Sequence, residues 1–155
     1  MQGSRRKCPD WAAGLSRSVV PDTRKSKHLK LHAASPTAIN TFSGYGEDYV
    51  TVNGARIERS VVVLPDRILA DWEACSLESL TVAHLAALLA LRQEVILLGT
   101  GQRLRFPPPQ VMRPAMAMFS AAGVGLEVMD VHAACRTYNI LVAEERKVAA
   151  ALLLG

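Results

Sequence analysis

The sequence predicts an α/β domain, and three observations carry that prediction. An Asn53-Gly54 pair stands between β-branched runs, an apolar stripe at helical spacing starts near Thr81, and a short unbroken apolar run, 95–98, and a second strand-like segment, 124–129, flank a second helical pattern. The Asn-Gly pair marks a hairpin because both of its residues adopt positive φ at little cost. Unbroken apolar runs mark strands covered on both faces, and their alternation with helices makes a parallel sheet.

Taken in order, residues 1–30 carry eight basic residues against Asp10 and Asp22, with Pro9, Gly14 and Pro21 breaking any pattern. Such a segment buries too little apolar surface to offset its ordering entropy, so it is expected to be a disordered basic tail. A mitochondrial presequence and a start site placed too far upstream are the alternatives. Residues 31–155 are expected to form one α/β domain. Ile39–Phe42 and Asp48–Val52 read as β runs, followed by the hairpin and a long second arm, Ala55–Leu64, bent partway and closed by Pro65-Asp66. Leu77, Leu80, Val82, Leu85, Leu88 and Leu91 form a helical stripe with Thr81 as N-cap. After the strand at Val95–Leu98, the Pro107-Pro108-Pro109 run opens a helix that Gly123 ends. Val124–Met129 is the next strand, Asp130 or Thr137 opens the helix after it, and Lys147–Leu154 is expected to be a final strand.

The formal net charge of +4 suggests nucleic acid until the charges are placed. The tail carries +6, and the remaining ten basic and twelve acidic residues leave the domain at −2, so nucleic acid is not an expected partner. Three cysteines, Cys8, Cys75 and Cys135, without a CxxC spacing argue against a disulfide framework and against zinc. No apolar run approaches the roughly 18 residues of a membrane span. A cytoplasmic location is expected, or the mitochondrial matrix if the tail is a presequence.

Two segments concentrate chemistry. Gly99-Thr100-Gly101 follows a predicted parallel strand, where ligands gather, and glycines there admit backbone N–H groups to an anion. It lacks the third glycine of a dinucleotide loop and the Gly-Lys-Ser/Thr of a P-loop, so it also reads as a plain turn. The second segment places Asp130, His132, Cys135, Arg136, Thr137, Tyr138 and Asn139 within ten residues. On a helix, His132, Cys135, Arg136 and Asn139 share a face, which suits an anion held by Arg136 or a thiolate at Cys135. The structural alternative buries Cys135, pairs Arg136 with Glu127 or Asp130, and has Asn139 cap a backbone group. His84 reads as a half-buried packing residue. No catalytic residue is assigned, because no serine sits in a GxSxG elbow and no carboxylate pair spans a scissile bond. No cofactor or metal is expected.

Tyr49–Gly54, Leu97–Gly101, the Phe106-Pro107 segment and above all Ala133-Ala-Cys-Arg-Thr-Tyr-Asn139, followed by 147–152, resemble a small domain-of-unknown-function family. That family includes bacterial and archaeal hypothetical proteins, the adipogenesis-associated domain protein and mitochondrial complex I assembly factor 3. The resemblance covers roughly 32–153. It implies a three-layer α/β domain with a mixed central sheet, its last strand antiparallel to its neighbours. It also implies a bacterial member that binds protein partners without an established reaction, linked to respiratory complex I assembly; a homo-oligomer is compatible with it. The runner-up is a small-anion or cofactor pocket built from Gly99, Thr100, Gly101, Asp130, Cys135, Arg136, Thr137, Tyr138 and Asn139. Two departures stand out: Val131 where the family often has threonine after aspartate, and Glu145 where it has glycine. Bacterial relatives tend to begin near a Met-Lys-Leu-His matching Leu29–His32, which supports the upstream-start explanation of the tail.

Overall fold

The computed structural model describes residues 38–155; the predicted basic tail lies outside them. A three-stranded antiparallel sheet, β1 (Phe42–Tyr45), β2 (Val50–Val52) and β3 (Ala55–Ile57), precedes a five-stranded mixed sheet. The latter contains β4 (Val61–Val63), β5 (Ile68–Leu69), β6 (Val95–Gly99), β7 (Gly125–Met129) and β8 (Val148–Leu152), in the order β5-β4-β8-β6-β7. Its helices are α1 (Val82–Leu89), α2 (Pro109–Ala122) and α3 (Val131–Ala143).

The hairpin turns where the sequence says it should. Asn53 and Gly54 have φ of 51° and 86°, which lets β2 and β3 pair through a two-residue loop. The long second arm does not survive as one strand. Ala55-Arg56-Ile57 buries only its last residue, whereas Val61–Leu64 is buried at every position. A strand with one face in water and a strand covered on both cannot share a sheet environment, so the chain crosses between sheets at Glu58–Ser60. Ser60 fixes the crossing: its hydroxyl donates to the Cys75 carbonyl at 2.9 Å and accepts the Leu154 N–H at 3.3 Å. Pro65-Asp66 turns the chain into β5, a short strand that the sequence pattern does not reveal.

Helix ends follow capping chemistry. Thr81 accepts the His84 N–H at 3.3 Å, and His84 Nδ1 accepts the Thr81 N–H at 3.1 Å, so His84 completes a reciprocal cap. Asp130, not Thr137, opens α3, its carboxylate accepting the Ala133 N–H at 2.8 Å. α2 starts in the proline run and stops at Gly123, with φ of 71°.

The expected antiparallel direction of the last strand holds on one side only. β8 runs antiparallel to β4 but parallel to β6. A helix lies between β7 and β8, and a helical crossover returns the chain in the same direction. The strand that runs against its partners in the middle of the sheet is β4. β8 is central, and side-chain alternation sends Val148, Ala150 and Leu152 to one core and Ala149 and Ala151 to the other. The first core packs α3 and the three-stranded sheet on one face of the five-stranded sheet; the second packs α1 and α2 on the opposite face. The domain therefore has three layers, with small side chains at the centre of the middle one.

Candidate functional site

The ends of β6 and β7 meet through their backbones. The Thr100 N–H donates to the Met129 carbonyl at 2.9 Å, and the Val131 N–H donates to the Gly101 carbonyl at 2.8 Å. The two chemistry-bearing segments are thus neighbours, yet most of their polar groups serve the fold. Thr100 is 1% exposed; its hydroxyl accepts the Arg105 N–H at 3.0 Å and tethers the next loop. A Cβ at Gly99 would stand 2.8 Å from Leu152 Cδ2 and 3.2 Å from Val131 Cα, so close packing requires glycine there. Gly101 has φ of 106°, a backbone state side chains avoid.

Along α3 the predicted single face separates. Cys135 is buried in the core, and its thiol is pushed up to about 12, chiefly by burial, which excludes a thiolate near neutral pH. Tyr138 is buried, stacks edge-on against Phe42 at 5.1 Å and donates to the Asn40 carbonyl at 3.0 Å. Asn139 reads the backbone of β1 in both directions: Oδ1 accepts the Phe42 N–H at 2.9 Å and Nδ2 donates to the Phe42 carbonyl at 2.8 Å. Thr137 is half-buried beside them. Arg136 points the other way: it is exposed, pairs with neither Glu127 nor Asp130, and donates to the Tyr45 hydroxyl at 3.1 Å. That bond keeps the guanidinium charged, raising its pKa. His132 stacks on Tyr45 with ring centroids 4.3 Å apart, its Nε2 3.0 Å from the Gly46 carbonyl oxygen. Asp130 caps α3, while His132, Tyr138 and Asn139 together pin β1 and the turn after it onto α3.

A cleft of about 160 Å³ lies between these segments, lined by residues that include Gly46, Glu47, Gly101, Gln102, Arg105 and His132. Of the predicted pocket residues it takes Gly101; Arg136 and Asn139 are not in its lining. Its volume is below the roughly 300 Å³ at which small-molecule sites begin. Its Arg105 and His132 side chains are engaged, Arg105 with Glu78 at 3.0 Å and His132 with Gly46. Among the described residues no group of three His, Cys, Asp or Glu side chains could hold a metal, and no helix is long and apolar enough to cross a membrane. Cys135 is a free, buried thiol.

What remains exposed and chemically distinctive is surface. Tyr45, Arg136 and Ile140 form one patch, with Ile140 59% exposed one helical turn beyond Arg136. Leu104 and Phe106, 50% and 63% exposed, form another on the loop before α2. Sequence reasoning passed over both, although an Ile one turn after an Arg on a helix, and a Phe inside a basic loop, are visible signals.

Comparison with known proteins places these features in context. The family model described as a protein of unknown function (DUF498/DUF598) matches residues 42–153. The NADH dehydrogenase (ubiquinone) 1 alpha subcomplex assembly factor 3 of Xenopus tropicalis is 34% identical over 129 residues, 81% of this chain and 65% of that protein. The 13 kDa major membrane protein of Francisella tularensis is 34% identical over 77 residues, 50% of this chain and 59% of that protein. The chain thus spans less than two thirds of either relative. A crystal structure from Bordetella parapertussis superimposes with a TM-score of 0.67 at 40% identity, covering 78% of this chain and 100% of that one.

Proposed function

The chain belongs to the family of proteins of unknown function DUF498/DUF598, and from that premise we propose that it is a non-catalytic, protein-binding assembly module. The observation that carries this reading is the use of the polar groups of α3 and its cap for internal fastening: Asp130, Tyr138 and Asn139 hold α3 to its own cap and to β1. Catalysis needs polar groups free to act on a substrate, and here the free ones sit on open surface. Relatives named as complex I assembly factors support an assembly-type role.

The finer proposal is that the module acts on respiratory NADH:ubiquinone oxidoreductase through protein partners, working in the cytoplasm. Tyr45, Arg136 and Ile140 are the proposed contact, since aromatic and arginine side chains dominate binding energy where they can be desolvated together. Deletion of the gene in its own cells tests the link, with assembled oxidoreductase read on native gels of the membranes. Loss of the assembled complex, restored by the wild-type chain, is expected. Unchanged assembly would remove the complex I link, while leaving protein binding to be judged by partner recovery.

A further inference from the structure

Residues 102–108, between β6 and α2, are exposed except at Pro107, yet the loop is held at four points. Gln102 Nε2 donates to the Glu47 carbonyl at 2.6 Å, the Arg105 N–H donates to Thr100 Oγ1, Arg105 pairs with Glu78, and Pro107 is buried. A loop so tethered presents its side chains without a further ordering cost on binding. What it presents is Leu104 and Phe106, each beside an arginine, Arg103 and Arg105. Phe106 is the most exposed of the large hydrophobic side chains among the described residues. Downstream, α2 begins with no side-chain cap and no acidic residue in its first turn, and Arg113 follows one turn in. Neither Arg103 nor Arg113 has an ion pair among the described residues. Positive charge here therefore lacks an internal partner, on the surface of a domain whose other charges are net acidic.

We propose that this loop docks an acidic, extended segment of a partner protein, whose carboxylates meet Arg103 and Arg113 while its apolar side chains cover Leu104 and Phe106. Charge complementarity selects the acidic character, and two separate apolar side chains call for a short segment rather than a large flat face. A bilayer suits the site less well, because the exposed face of α2 carries Gln110, Arg113 and Ser120, with Met116 alone among its large hydrophobic side chains exposed, and not the broad apolar helix face that interfacial binding uses. This inference rests on the protein-binding reading but uses a surface apart from Tyr45, Arg136 and Ile140.

The test places a photo-crosslinking phenylalanine analogue at position 106 of the full chain, and separately at position 140, and maps the adducts formed in its own cells. The expected result is adducts at 106 to peptides of another protein with net negative charge, falling at least tenfold in the Arg103→Glu/Arg113→Glu variant while its melting temperature stays put. Adducts to lipid, nucleic acid, a second copy of the chain, or neutral or basic peptides would overturn the proposal, as would insensitivity to charge reversal. Adducts at 140 with none at 106 would overturn it alone; none at either position would remove the protein-binding reading as well.

Discussion

Asn139 carries more of the fold than its position on a half-exposed helix face suggests. Its amide replaces a strand neighbour for Phe42, satisfying one donor and one acceptor of β1 across 97 residues of sequence. Asn139→Ala leaves both groups unpaired, and a buried unsatisfied group costs about 1–3 kcal/mol, so a loss of about 2 kcal/mol is expected. Thermal unfolding measures it, and hydrogen exchange should show the Phe42 amide opening first. Cys135 makes the opposite kind of prediction. Its folded pKa lies near 12, above its ordinary value of 9.0, so the unfolded chain releases that proton first as pH rises. Its contribution to stability is complete below about pH 9 and is lost between there and about pH 12; Tyr138, also raised chiefly by burial, acts in the same direction. Iodoacetamide at pH 8, followed by peptide-resolved mass spectrometry, should label Cys135 only as fast as the domain opens. Fast labelling of the native protein would refute that.

Elements differ in how far the sequence discloses them. The Asn53-Gly54 turn, the Asp130 and Thr81 caps and the Gly123 stop are local chemistry and were legible. The sheet change at Glu58–Ser60 was not, since a bend inside an apolar arm reads the same whether the arm stays in its sheet or leaves it. The direction of β8 followed from the helix before it, and the resemblance pointed the other way. The site was half legible: the two segments do adjoin, but which groups Asn139 and Arg136 reach depends on β1, nearly a hundred residues away. Glu145 shows what a departure from the family pattern costs. It takes φ of 61° at the end of α3, where the Arg146 N–H closes onto Leu141, a left-handed state in which glycine has no steric penalty. Glu145→Gly is expected to stabilise the domain by about 1 kcal/mol in chemical denaturation, against the usual sign for a glycine substitution. At the centre of β8, Ala151 packs fully buried beneath the α1–α2 layer. Ala151→Leu should cost about 1–3 kcal/mol through overpacking, whereas an exposed change such as Ile140→Ser should fall within about 0.5 kcal/mol of wild type.

At the scale of the whole molecule, three layers close around two cores, and the polar groups at the strand ends are absorbed in joining them. The small cleft has Arg105 and His132 engaged, while aromatic, arginine and aliphatic side chains stand exposed on the α3 face and on the loop before α2. On the proposed reading, a molecule so arranged acts through its surface. The most direct measurement compares partner recovery by tagged wild-type and Arg136→Glu chains from the same cells, with melting temperature recorded for both. Arg136→Glu is expected to lose its partner proteins at least tenfold while melting within about 2 °C of wild type, since an exposed substitution costs little stability. Full partner recovery by the variant, or loss of partners only in step with loss of folding, would contradict it.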